Sequence, residues 1–367
     1  RGLAVSATGD MRVYMGSVSG ALAAGTAAVT GVVNTAVVKN RILAQVGDGV
    51  KINATTSQNA GTAEGAPAQA EGSGEEQEAS VESDGETELY NFAGSLSIGN
   101  AVGVGGTVVV QVIGNSVEAR MGDGGAAFAM KGMRVIANAD DNVALAGLGF
   151  GVGTTAVAPE VSALVFNASV IAEAGGSMTA GQGIEVKATG NTKLHNIGAA
   201  ASAGVGAAAV SPVAIVTYFN GATDASVRSG ASLNAGAGSV SIRADSREDV
   251  VTAANGASVS AAAAVSGSVS VTVSKTATRA RTGDATTLRG ASIDVVSIDN
   301  YDFFGEAATL SATGTAAVGV TAMVNVLKNT VEARIGAGNA VYALSGDANI
   351  DAQARRNVAS YAGSGAG

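Results

Sequence analysis

GASVSAAAAVSGSVSVTVSKTATRARTG, residues 256–283, is the stretch on which the reading of the chain turns. Its alanines favour a helix, but its valines do not: Val259, Val265, Val269, Val271 and Val273 all fall on odd positions. The even positions hold Ser258, Ser260, Ser266, Ser268, Ser270, Thr272, Ser274, Thr276 and Thr278. Period-two alternation, with β-branched residues on one side and hydroxyls on the other, marks a half-buried strand. A helix would mix the two sets around its circumference. The expectation is a strand that turns its valines to the core.

The stretch belongs to a repeat. Residues 265–283 align without a gap on 318–336, matching Val265 to Val318, Lys275 to Lys328, Arg281 to Arg334 and Gly283 to Gly336. The closing pattern recurs as NSVEARMG (115–122) and, degraded, as NRILAQVG (40–47), VIAEAG (170–175) and DASVRSG (224–230). The closing glycines Gly47, Gly122, Gly175, Gly230, Gly283 and Gly336 are spaced by 75, 53, 55, 53 and 53 residues. The one long interval contains an acidic segment. Removing about 22 residues there restores the period, which leaves six units and one inserted loop.

Each unit has the same internal order. A small-residue run leads into a valine alternation and then a polar corner (SKT, LKN, IGN). A charged strand ending at the glycine follows, then a second alternating strand such as VIANA (135–139) or IEVKA (184–188). DDNV, REDV, NYDF or RRNV closes the unit as a further corner.

Repeated short strands with turn glycines predict an all-β fold, a right-handed parallel β-solenoid of about six repeats of roughly 53 residues. A unit of this length suggests two coils, or three. One unit buries too little to stand alone, so stacked neighbours must supply the rest. The organisation expected is a first repeat over 1–59, a disordered acidic insert over 60–88, and repeats 2–6 with the start of a seventh over 89–367. RGLAVSATGD (1–10) enters in mid-pattern and VASYAGSGAG (358–367) opens a new small-residue run, as an internal slice of a longer fibre would.

Composition supports thin cores. The chain is 47% hydrophobic but only 4% aromatic, with 52 glycines, 3 prolines, no tryptophan and no cysteine. Alanine and valine therefore dominate, and they fill little volume. The lack of cysteine excludes a disulfide framework and thiolate metal sites. The net charge of −9 resides in Glu64, Glu71, Glu75, Glu76, Glu78, Glu82, Asp84, Glu86 and Glu88, and the rest of the chain balances at 21 against 21. With no cationic excess, nucleic acid is an unsuitable partner. Ile197–Val216 runs 20 residues without a charge, long enough to span a bilayer. Alanine, glycine and serine dominate it, however, and no tryptophan is available for an interfacial belt. No transmembrane helix is expected.

The combination of a Gly/Ala-rich run, valine alternation, Asn-x-Val-Glu-Ala-Arg-x-Gly and Gly-x-x-Val-x-Ile-x-Ala resembles the repeats of large filamentous exoproteins. These are the haemagglutinin-like and leukotoxin-type filamentous adhesins of bacteria. NSVEARMGDG (115–124) and NTVEARIGAG (329–338) carry the likeness best, and it covers nearly the whole chain apart from the acidic insert. The resemblance implies a secreted, cell-surface solenoid fibre used in attachment.

Few residues suggest chemistry. His195 is the sole histidine and sits in TKLHNIG, read as a corner. A triad or zinc site cannot be built around it, so neither an enzyme nor a cofactor is expected. The best-patterned charges are Arg120, Arg228, Arg281 and Arg334, each two residues before a closing glycine. They form either a stripe for sulfated glycans and anionic surfaces or a repeat relic paired with Glu118, Glu332 or Asp284. Gln45 and Glu173 interrupt the column and favour the second reading. Glu75, Glu76 and Glu78 are weak calcium candidates, without an EF-hand or a Gly-Gly-x-Gly-x-Asp repeat to support them. Tyr301, Phe303 and Phe304 are read as cover for the core at a corner, or alternatively as an exposed patch.

The function expected is structural and adhesive, in a filament outside the cell or on its surface. Its partners are neighbouring repeats, further copies docked end to end, and host or neighbouring cell surfaces with their glycans. A self-assembling fibre without a receptor is the alternative. A polysaccharide-degrading solenoid is more distant, and ice binding through Thr276 and Thr278 lacks repetition in the other units.

Overall fold

A computed structural model describes residues 3–52 and 78–367. It is all strand. In chain order these are β1 (Leu3–Ala23), β2 (Ala27–Val46), β3 (Lys51–Ile52), β4 (Ala79–Gly99), β5 (Val102–Met121) and β6 (Ala126–Ala129). Next come β7 (Gly132–Val157), β8 (Glu160–Ala174), β9 (Ser177–Ala180), β10 (Gly183–Val227), β11 (Ser232–Asn234) and β12 (Ser239–Ser260). The last are β13 (Ala263–Thr282), β14 (Thr287–Gly290), β15 (Ile293–Thr313), β16 (Ala316–Arg334), β17 (Ala340–Ala343) and β18 (Ala348–Ala366).

All pairing is parallel, between one repeat and the next, as in folds of the β-solenoid type. β1, β4, β7, β10, β12, β15 and β18 stack as a first long face. β2, β5, β8, the second half of β10, β13 and β16 stack as a second. The six short strands form a separate sheet that closes the broad end. Val265 lies opposite Val318 and Ile242 opposite Val295, so the next coil begins one repeat later.

The coil is therefore one per repeat, which corrects the expectation of two or three. The polar motifs read as corners are not corners. Ser274-Lys275-Thr276 lies inside β13, Asp140-Asp141-Asn142-Val143 inside β7 and Asn300-Tyr301-Asp302-Phe303 inside β15. The narrow-end turns fall instead in uncharged small residues, at Ala261-Ala262 and Gly314-Thr315. Strands of about twenty residues extend some 70 Å, so the coil is broad and flat.

The interior changes along that breadth. At the broad end Val135, Val186, Ile242 and Val295 belong to an aliphatic core with Met121, Met133 and Met178. Mid-face, Leu89, Leu194, Phe166, Phe219 and Phe303 form a second cluster. Phe166 and Phe219 stack with ring centroids 5.8 Å apart. At the narrow end the interior is mainly serine, threonine, glycine and alanine, with Val213 and Ile215 among them. Ser258 donates to the Val265 carbonyl at 2.7 Å, Ser311 to Val318 at 2.7 Å and Ser268 to Ala308 at 2.8 Å. A single hydroxymethyl group thus bridges the two sheets, which places them well inside the usual spacing of about 10 Å. A Cβ on Gly103 would overlap the Val152 carbonyl, and one on Gly105 the Phe150 carbonyl.

This separation reverses the expected polarity of residues 256–283. The hydroxyl positions face inward and the valines outward: Ser268 is 0% exposed and Val269 is 41% exposed. Where the sheets are closest, small hydroxyl side chains fit and several of them reach a carbonyl of the opposite sheet, while Val213 fills the inward place next to Ser268 in the adjacent coil.

The acidic insert also ends sooner than expected. Residues 79–88 belong to β4, paired in register with β1 and β7. Val81, Ser83, Gly85, Thr87 and Leu89 point inward, while Glu82, Asp84, Glu86 and Glu88 alternate outward. That period-two signal was present in the sequence but was masked by the run of like charges.

Replacing Ser268 by Val should destabilise the chain by about 1–3 kcal/mol, because it leaves the Ala308 carbonyl without its hydroxyl donor. Replacing Val269 by Thr should stay within about 0.5 kcal/mol. Urea denaturation of both variants reads the difference, and the opposite order would mean that the valines face inward.

Candidate interaction surfaces

The arginines occupy the broad-end edge of the second face. Arg120, Arg281 and Arg334 share one outward row with Gln45, Glu173 and Ser226. Arg228 is not in that row, because Val227 pairs with Thr282 and so sets Arg228 level with Gly283. Gly230 is correspondingly not the equivalent of Gly283. It takes the left-handed conformation (φ 75°) in the turn, as Gly338 (φ 68°) and Ala285 (φ 54°) do in theirs. Gly283 serves a different need, since a Cβ there would lie 2.5 Å from the Ser229 amide nitrogen of the coil below.

Each of these arginines meets a carboxylate. Arg120 lies 2.9 Å from Glu118 and 3.1 Å from Glu173, and Arg228 lies 2.8 Å from Glu173 and 2.7 Å from Asp123. Arg281 pairs with Asp224 at 2.6 Å, in place of the anticipated Asp284, and Arg334 with Glu332 at 3.4 Å. Hydrogen bonds that it donates to Glu173 and Asp123 hold the Arg228 guanidinium above its ordinary value. The edge is thus an alternation of charges that balances itself between adjacent coils.

On the first face, outward acids border a shallow groove lined by Asp10, Asp84, Glu86, Asp140, Asn138 and Lys187. Three of its acids are engaged: Asn138 donates to Asp84 at 2.8 Å, and Arg12 lies 3.2 Å from Asp10 and 3.8 Å from Glu86. Beside them Tyr14 and Tyr90 stack with centroids 5.5 Å apart and an interplanar angle of 8°. Tyr14 donates to Glu88 at 2.9 Å, and Phe92 extends this exposed aromatic strip. His195 stands mid-strand in β10, in the outward row of Ala144 and Val251.

Tyr301 and Phe303 are buried in the mid-face cluster, whereas Phe304 is outward with its centroid 5.8 Å from that of Tyr361. Among the calcium candidates, Glu75 and Glu76 lie outside the described residues. Glu78 is exposed at the entry to β4, where its carbonyl accepts from the Leu3 amide at 3.0 Å. Among the described residues no three His, Cys, Asp or Glu side chains are grouped to hold a metal, and no helix is long and apolar enough to cross a membrane.

Sequence reading missed a set of buried acids. Asp141 accepts from Asn115 at 2.7 Å, and burial pushes it up to about 7. Asp299 accepts from Asn329 at 2.7 Å. Glu248 accepts from Ser246 at 2.5 Å and is raised by burial and then by the adjacent Asp299. Glu160 has no hydrogen-bond partner, and burial pushes it to about 9. A Cβ on Gly147 or Gly198 would overlap its carboxyl group, so both glycines make room for it. Inward period-two parity could have flagged Asp141, Glu248 and Asp299 once the strands were known to run straight through.

Glu160 makes stability depend on pH in a definite sense. Between the ordinary value of 4.5 and about 9, the folded chain keeps a proton that the unfolded chain has lost. The group's contribution is therefore fullest at low pH and declines as pH rises, by about 3 kcal/mol at pH 7. Glu160→Gln should match the parent near pH 4 and exceed it increasingly toward pH 8. A difference independent of pH in urea titrations would refute the assignment.

Compared with known proteins, the chain matches no family model, no curated protein and no solved structure.

Proposed function

We propose that this chain is a structural and adhesive segment of a secreted bacterial surface filament, related to the filamentous adhesins its repeats resemble. In this reading the body is a right-handed β-solenoid of about six repeats, with further coils continuing the stack. Attachment is to host or neighbouring cells, glycans among their surface groups, and the role is mechanical rather than catalytic.

The observation that carries this reading is the in-register stacking. Each coil hydrogen-bonds only to the coils before and after it, so the body lengthens by about 4.8 Å per repeat without any change in cross-section. Such a body resists extension through its ladders of backbone bonds and presents the same surface rows along its length. The aromatic strip of Tyr14, Tyr90 and Phe92 beside outward acids suits sugar rings and their hydroxyls better than it suits an anionic polymer.

A self-assembling extracellular fibre without a receptor is the second reading. The apolar outer side of the second face favours it, since an isolated segment would expose that side to water.

The two readings separate in one pair of measurements on the 367-residue chain. The adhesive reading expects saturable binding of labelled chain to cell surfaces, weakened several-fold by Tyr14→Ala with Tyr90→Ala. Electron microscopy over a concentration series should then show discrete particles about 70 Å across. Absence of saturable binding together with filaments many times that size would transfer the function to the fibre.

A further inference from the structure

The outer side of the second face carries a feature that attachment does not use. From the narrow end to the row of Lys39, Lys275 and Lys328, six successive outward rows on six stacked strands contain no charged residue. One row is valine in every coil: Val29, Val104, Val157, Val210, Val265 and Val318. Val33, Val108, Val161 and Val269 belong to a parallel row four residues along each strand. Between these ridges run Gly31, Gly106, Pro159, Pro212 and Gly267, until Val320 closes the groove at β16. The groove is open at Gly31, where a Cβ would meet nothing nearer than the Gly106 carbonyl at 3.9 Å, and is partly filled in the middle, where a Cβ on Gly106 would lie 3.3 Å from the Pro159 ring. One on Gly267 would meet only the Val320 carbonyl, at 4.0 Å.

We infer that this face is an interface between two copies of the chain, packed face to face with the valine ridge of each seated in the glycine groove of the other. Three observations select a second copy as the occupant. The first is size: the patch measures about 33 Å along the strands and about 24 Å along the stack. That is roughly 800 Å² a side, the share each partner contributes to a standard stable interface. The second is shape. A two-fold axis running along the stack, between ridge and groove, exchanges the two features and makes the face complementary to itself. The third is period, because the valine ridge repeats coil by coil at about 4.8 Å, a spacing that another stack of the same coils matches, with Gly31, Gly106 and Gly267 offering the deepest places between ridges. The lysine row lies at the edge of the patch, where a solvated polar rim is expected. The pairing holds whether or not the chain binds cells, and it runs sideways to the stacking direction.

Sedimentation velocity of the full chain from about 1 to 100 μM tests it. The expected result is a concentration-dependent dimer. Val265→Lys with Val269→Lys should weaken it at least about tenfold, with an unchanged strand signal in circular dichroism. Gly31→Leu with Gly267→Leu is the sharper variant. It makes the face more apolar and suits strand geometry no less, yet it fills the groove. Ridge-in-groove packing predicts that this variant also loses the dimer, whereas general stickiness predicts equal or tighter association. The inference is overturned if the groove-filled variant associates as well as the parent. It is equally overturned by a parent that stays monomeric throughout, or by open-ended growth indifferent to both variants. Flotation of a monomeric parent with phosphatidylcholine vesicles would assign the face to lipid instead and overturn it too.

Discussion

The distance between the two long sheets at the narrow end governs most of what is particular to this protein. There the interior is only as deep as one hydroxymethyl group, as the bonds from Ser258, Ser268 and Ser311 to carbonyls of the opposite sheet demonstrate. Small side chains predominate there, although Val213 takes the inward place next to Ser268 and Ile215 the one next to Ser270. Volume as well as polarity therefore bears on which side of each strand faces inward. Ser258, Ser268 and Ser311 each gain a carbonyl acceptor in exchange for water, which leaves their burial nearly neutral. The hydrophobic contribution that a valine core would make is replaced by backbone ladders and close sheet contact.

The same constraint produces the outer surface. Strand propensity still favours β-branched residues, and where the hydroxyls take the inward places the valines of the same strand point out. The result is an apolar exterior over a hydroxyl-lined interior, the reverse of an ordinary soluble sheet. An exposed apolar patch of this size is uncommon on a monomer. Toward the broad end the third strand of each coil holds the sheets apart, valine, isoleucine and methionine return to the inside, and charges return to the outside. The polar bands at mid-face, with Asn115 on Asp141 and Asn329 on Asp299, mark the crossover between the two regimes.

Charge follows the stacking in a comparable way. Adjacent coils bring equivalent positions close together, so a column of identical charges would repel along its length. The arginine edge avoids this by mixing signs: Glu173 lies between Arg120 and Arg228 and serves both. Buried Glu160 is tolerated differently, by remaining protonated at neutral pH between two glycines that leave it space.

By itself the sequence determined the strands, their period of two, the repeat of about 53 residues and the register logic that stacks one unit on the next, because each is a local pattern of residue types. Val265 opposite Val318 was legible as an alignment before it was a contact. The tertiary structure decided the rest. Which parity faces inward depends on the sheet separation, which no single strand encodes. The number of coils per repeat depends on whether polar residues turn the chain or cross a buried band, and Ser274-Lys275-Thr276 reads alike in both cases. The strand at 79–88 was hidden because its outward acids look like a solvated loop until β1 and β7 supply its neighbours. Arg228 left the arginine row because two extra residues in one repeat shift the register, and only backbone pairing between coils reveals on which side of the turn they fall.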